Sequence, residues 1–224
     1  MSTSAYIFDY GGTLDTGGRH WGMVLWQSWQ KAGVPVNEAL FREAYVHAER
    51  TLASQQLIAP GDTFHRTLDV KLQVEMEYAG CPAYRQQVLD DVYAQTRQHT
   101  AHSLKVLKQL AERCPLVLVS NFYGNLHSVL KEFGLSDVFS HVVESAVVGI
   151  RKPDPRIFLK GVELLGMQPS EVTVVGDSIG NDIRPAKAAG CRTVWLRGQQ
   201  WSDAPVDETL PDSVINDLEE LLNA

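Results

Sequence analysis

The sequence predicts an open α/β fold, a parallel sheet flanked by helices, with an all-helical block inserted after the first strand. Three observations carry that prediction. Short apolar runs rich in β-branched residues recur along the chain, and helical segments alternate with them from about residue 100 onward. Residues 16 to 96, by contrast, hold helical spacing and no buried strand. Strands covered by helices on both faces read as continuous apolar runs, which is how these runs read.

The elements follow in order. AYIF (5–8) is the first strand. The inserted block reads as helices Trp21–Lys31, Asn37–Leu52, Asp62–Tyr78 and Tyr84–Gln98, parted by AGVP, APG and AGCP breaks. Ser103–Glu112 is a helix leading into the strand LVLV (116–119). Helices at Gly124–Phe133 and Arg156–Leu165 precede TVV (173–175), and Arg184–Ala189 precedes TVWL (193–196). Gly134 and Gly190 stand where helix C-termini need a glycine, and Pro185 falls early in its helix, where a missing N–H costs little. The chain thus divides into an α/β core of residues 1–15 and 97–224 and a helical insert of residues 16–96.

Composition narrows the class. The 224 residues are 44% hydrophobic and 21% charged, a globular balance in a chain long enough for a core domain with an insert. A net charge of −7 with no basic block argues against nucleic acid or an anionic membrane surface as partner. Cys81, Cys114 and Cys191 are odd in number and scattered, which suits neither zinc nor a disulfide framework and suggests a reduced, cytoplasmic setting. The N-terminus has no secretory pattern, and no apolar run approaches the ~18 residues of a membrane span. A soluble protein is expected.

In open α/β sheets the working groups gather beyond the carboxyl ends of the strands. Asp9 sits there after the first strand, Ser120 and Asn121 after LVLV, and Asp177 after TVVG with Asp182 close behind. Lys152 lies in GIRKPDPRIF, just before a helix. Singly, these are ordinary turn residues, a helix cap or an exposed lysine. Together they make chemical sense. Asp9 and Asp177 on neighbouring strand ends would repel each other unless a hard cation lay between them, and oxygen ligands suit Mg²⁺. A hydroxyl, backbone N–H groups and an ammonium around that cation form a cradle for a dianionic phosphoryl group. A carboxylate beside the cradle is a candidate nucleophile. The glycine-rich GGTLDTGG is no P-loop, since it lacks the terminal lysine and hydroxyl residue.

With FDYGGTLD, VLVSN, RKPDP and GDSIGND in this order and spacing, the chain resembles the haloacid dehalogenase superfamily of aspartate-nucleophile hydrolases over nearly its whole length. The resemblance implies a Rossmann-like core, with the insert as a helical cap, and a small phosphorylated metabolite as substrate. It implies Asp9 as nucleophile and Mg²⁺ ligand, Asp177 as metal ligand, and Asp182 as a further acid of the metal site. Ser120 and Asn121 would hold phosphoryl oxygens, Lys152 would stabilise the nucleophile and the transferring group, and Thr13 would support the loop.

One position departs from the family pattern. Its phosphatases carry a second aspartate two residues after the nucleophile, which protonates the leaving oxygen and later activates water; here that place is Gly11. The position also lends its carbonyl to the metal, which glycine retains. Metal binding is therefore expected to survive, whereas a general acid worth roughly 10²–10⁴-fold is missing and alkyl phosphates should turn over slowly. Leaving groups that need no proton escape the deficit: acyl or aryl phosphates, a dehalogenase's halide, or the enamine of a phosphonate-cleaving enzyme. Dehalogenases do without metal and so without the acid pair of GDSIGND. The phosphonate branch needs a desolvated cap lysine, and Lys31 and Lys71 read as lying on solvated faces. Asp15 is weighed as a stand-in acid against a plain surface-turn role.

In the insert, Trp21, Trp26 and Trp29 are expected to pack the cap interior, Gly17 and Gly18 to form a hinge, and Arg19 and His20 to face an anionic substrate. Two functions remain open: a Mg²⁺-dependent phosphatase, and a catalytically quiet phosphometabolite-binding or regulatory protein.

Overall fold

Strand β1 (Ala5–Phe8) is buried along its whole length because it lies in the middle of the sheet. On one side it pairs with β2 (Leu116–Ser120), which in turn pairs with β3 (His141–Glu144). On the other it pairs with β4 (Val172–Gly176), followed by β5 (Arg192–Leu196) and β6 (Ser213–Ile215). All pairings are parallel, giving the order β3-β2-β1-β4-β5-β6. This computed structural model describes residues 4–201 and 205–223, so residues 1–3 of the expected core lie outside it.

The insert consists of α1 (Trp21–Lys31), α2 (Glu38–Ser54), α3 (Phe64–Tyr78) and α4 (Arg85–Ala111). After β2 come α5 (Leu126–Glu132), α6 (Ser145–Val148), α7 (Arg156–Leu165) and α8 (Arg184–Ala188). Alternation along β1 divides the core into two layers. Ala5 and Ile7 pack with Val117, Val119 and Val174 against Phe158 and Val162 of α7. Tyr6 and Phe8 pack with Leu116 and Leu118 against Val106 and Leu110 of α4 on the opposite face. That second layer runs on without a break into the insert, through Leu14, Leu25, Trp29 and Phe41.

Two expectations change. The helices expected at Tyr84–Gln98 and Ser103–Glu112 are one helix of 27 residues, α4. No glycine or proline separates them, and the residues between them, HTAH, leave the helical ladder intact. Residue 97, where the sequence reading ends the insert, lies within this helix. Two strands, β3 and β6, went unread; both are at the sheet edges and neither is apolar throughout.

Trp26 and Trp29 pack on Phe41 inside the insert, with ring centroids 5.1 Å away in each case. Trp21 differs: it packs on Phe64 at 5.7 Å and lines the cleft described below. All three cysteines are free. No helix among the described residues is long and apolar enough to cross a membrane.

Candidate functional site

The register places the acids. Phe8 pairs with Val175, and Asp9 N–H donates to Val175 O at 3.0 Å, so Asp9 and Asp177 leave adjacent strand ends. Asp182 returns to them from the helical turn Ile179–Ile183, where its Oδ2 accepts the Ser178 N–H at 3.0 Å. All three carboxylates are buried, and one oxygen from each lies within 4.8 Å of the others. Lys152 Nζ donates to Asp182 Oδ1 at 2.7 Å and also bonds Asp9 Oδ1. Thr13 Oγ1 lies 3.2 Å from Asp9 Oδ2 and 3.1 Å from Asp177 Oδ1, and accepts the Asp177 N–H at 3.0 Å.

Burial makes this group costly in charge. It pushes Asp9 up to about 6 against the pull of Lys152, with Asp182 adding to the rise. Burial, then Asp182 and Asp9, push Asp177 well above the carboxylate range. Burial opposes the charge on Lys152, but Asp182 and Asp9 outweigh it and hold the ammonium above its ordinary value. Three buried acids facing one ammonium leave an excess of negative charge. An oxygen-only donor set with that excess fits Mg²⁺. The loop fits closely against Asp177: Gly12 has φ +100°, and a Cβ there would lie 2.5–2.6 Å from the Asp177 carboxyl atoms.

A cleft of about 350 Å³ opens over these groups, with Asp9, Gly11, Ser120, Asn121, Lys152 and Asp177 among the residues lining it. The insert supplies another wall, including His20, Trp21, Tyr45, Glu49, Phe64 and Lys71. Asn121 reaches the cleft, but its carboxamide is committed to Lys152: Nδ2 donates to Lys152 O at 3.1 Å and Oδ1 accepts Lys152 N–H at 2.9 Å. Its side chain clamps the lysine loop rather than lying free for phosphoryl oxygens.

The two expected cap contacts separate. Arg19 is not among the cleft-lining residues; its guanidinium lies 3.1 Å from His99 Nε2 and donates to Gln95 Oε1 at 3.3 Å, both on α4. His20 does line the cleft, but its Nδ1 accepts Gly22 N–H at 3.0 Å to cap α1, and burial lowers it to about 4. It is a neutral wall, not an anion-binding cation. Gly17 and Gly18 both have positive φ, and Gly18 closes the loop by donating to Gly12 O at 2.7 Å.

Lys31 is exposed, as its polar neighbours imply, and the structure pairs it with Asp91. Lys71 is not on a solvated face. It is buried on the cleft wall, bonded to Glu49 on α2 and 4.0 Å from Glu75. Asp15, too, is buried rather than a surface-turn residue: Oδ1 accepts Gly12 N–H at 2.7 Å and Oδ2 accepts Trp21 Nε1–H at 3.1 Å. Arg151, Tyr123 and Trp201 also line the cleft. Of these only Arg151 carried a signal, as the neighbour of Lys152.

An open parallel sheet with an aspartate-centred acid group at its carboxyl edge defines the class, and comparison with known proteins gives the family. A family model described as haloacid dehalogenase-like hydrolase matches residues 3–190. The chain is 33% identical over 171 residues to a phosphoglycolate phosphatase of Neisseria gonorrhoeae, covering 72% of this chain and 71% of that protein. It is 28% identical over 162 residues to a glyceraldehyde 3-phosphate phosphatase of Pyrococcus furiosus, covering 72% of this chain and 66% of that one. In two further phosphatase relatives the match spans less than half of the relative's length. A dehalogenase crystal structure with a bound intermediate shares the fold, with TM-score 0.67, 22% identity, and coverage of 100% of this chain and 97% of that one. The chain belongs to the haloacid dehalogenase-like hydrolases.

Proposed function

We propose that the protein is a phosphatase that cleaves a small phosphorylated metabolite through an aspartyl-phosphate on Asp9, with Mg²⁺ as its metal. The observation that carries this reading is the buried Asp9 carboxylate, ion-paired to Lys152 and grouped with Asp177 and Asp182, on the wall of one cleft. Asp9, Asp177, Asp182 and the Gly11 carbonyl would hold the metal, which when bound supplies positive charge against the phosphoryl oxygens.

The chain's own groups do the rest. Lys152 keeps the Asp9 carboxylate ionised and oriented toward the cleft, and its ammonium offers charge to the transferring group. Asn121 fixes the Lys152 backbone, and Ser120 brings a hydroxyl to the same cleft. The insert walls over the cleft and limits access of water, the part a cap plays. The phosphatase relatives support this chemistry. A phosphonate-cleaving reaction through an imine on Lys71 draws no support, because Glu49 helps hold that amine protonated.

The test is turnover of p-nitrophenyl phosphate, acetyl phosphate and a panel of phosphorylated metabolites, with and without Mg²⁺. Metal-dependent turnover that disappears in Asp9→Asn is expected. Activity that survives Asp9→Asn removes the nucleophile from this reading, and ligand binding without any turnover favours the quiet binding protein.

A further inference from the structure

Gly11 leaves the site without the proton donor that an alkyl phosphate needs, yet a carboxyl group stands close by. A Cβ built on Gly11 would meet Trp21 Nε1 at 3.7 Å and Trp21 Cδ1 at 3.8 Å. That same Nε1–H is donated to Asp15 Oδ2 at 3.1 Å. Trp21 thus occupies the region toward which a side chain at residue 11 would project, with the Asp15 carboxyl hydrogen-bonded to that same indole, and both residues line the cleft that contains Asp9. Asp15 Oδ1 is held by the Gly12 N–H, the amide that follows directly on Gly11. Each carboxyl oxygen accepts one N–H and keeps a lone pair on which a proton can sit.

We infer that Asp15 is the general acid and base of this site, serving from beside Trp21 the role that residue 11 has lost. The inference rests on the phosphatase reading above. Its neighbourhood suits the role. Asp15 is 1% exposed and forms no ion pair with a cation among the described residues; burial, with a smaller push from Asp9, raises it to about 8. It therefore holds its proton at neutral pH, as a donor must.

The steps balance. An Asp9 carboxylate oxygen forms a bond to phosphorus while the bond from phosphorus to the leaving oxygen breaks. The departing electron pair takes the Asp15 proton, so an alcohol leaves and Asp15 becomes a carboxylate. Water then attacks phosphorus and gives a proton to Asp15. The bond from phosphorus to Asp9 breaks, inorganic phosphate leaves, and both aspartates return to their starting forms.

The experiment compares kcat/KM for an alkyl phosphate and for p-nitrophenyl phosphate, whose leaving group needs little protonation. In Asp15→Asn the alkyl-to-aryl ratio is expected to fall by about tenfold or more, within the 10²–10⁴-fold scale of general acid catalysis. Gly11→Asp added to Asp15→Asn is expected to restore that ratio. A ratio unchanged by Asp15→Asn, whether both substrates slow together or neither does, overturns the inference and leaves Asp15 a tie between Gly12 and Trp21. Gly11→Asp alone provides the check should Asp15→Asn fail to fold. It is expected to raise the ratio less than about tenfold, because a donor is already present; a larger rise shows the role was vacant. Absence of turnover in the wild type overturns the phosphatase reading along with this one, whereas turnover with an unmoved ratio overturns this one alone.

Discussion

Lys152 Nζ lies 2.7 Å from Asp182 Oδ1 while also bonding Asp9, so one buried ammonium bridges two of the three carboxylates that crowd the sheet's carboxyl edge. The bridge offsets part of the negative charge gathered there, and it defines what removal of the lysine should do.

Lys152→Met fills similar volume without charge and strands Asp9 and Asp182 in a buried site. Removing one partner of a buried ion pair destabilises by about 3–5 kcal/mol, because the remaining charge is uncompensated. Urea melts in the presence of a chelator should give an unfolding free energy lower by that amount, and turnover should be lost. A variant as stable as the wild type would mean that the lysine is not what balances these acids.

Asp177→Asn should separate stability from metal binding. Burial and repulsion from Asp182 and Asp9 already disfavour the Asp177 charge, so the neutral amide is expected to raise the melting temperature of the metal-free protein. The same change removes a proposed metal ligand, so any stabilisation by added Mg²⁺ should shrink. A bound ligand contributes about 2.7 kcal/mol at 100 times its Kd, readily seen in a thermal shift titration. A larger Mg²⁺ shift in the variant than in the wild type would take Asp177 out of the metal site.

The central strands were legible because burial on both faces leaves them continuously apolar: β1, β2, β4 and β5 were all read within a residue. Edge strands carry no such signal. β3 begins with the exposed His141, and β6 has three residues of which Ser213 is exposed. The acids of the site were legible because strand ends and turn residues mark them. Lys71 was not, since what buries it is Glu49 on another helix, far away in sequence, while its own neighbours Asp69 and Gln73 are polar. Asp15 and Trp21 each looked ordinary for a similar reason: their meaning lies in their meeting across the loop.

Gly12→Ala should damage the site rather than the fold at large. A side chain at φ +100° is strained, and its Cβ would collide with the Asp177 carboxyl. Gly33 supplies the control, with φ +72° and no atom within 4 Å of its would-be Cβ. Both variants should lose stability from backbone strain, but only Gly12→Ala is expected to lose its thermal response to Mg²⁺ and its turnover. A Gly12→Ala protein that matches Gly33→Ala in both respects would show that Asp177 has room to move.

Glu75→Gln should change how stability depends on pH. Glu75 is fully buried, neither of its carboxyl oxygens has a hydrogen-bond partner among the described residues, and burial raises it to about 8 against the pull of Lys71. Unfolded, the same group titrates near 4.5. Between those values the folded chain keeps a proton that the unfolded chain has released, so stability falls as pH rises. The contribution is fully present below about pH 4.5 and is lost as pH rises through about 8. Glutamine stays neutral throughout, so the drop in melting temperature from pH 5 to pH 8 should be smaller in the variant, by an amount on the order of a few kcal/mol in stability. Asp15 adds a slope of the same sign, so the dependence should flatten without vanishing. Thermal melts across that range with chelator present measure it directly, and an unchanged slope would mean that Glu75 is already ionised in the folded protein.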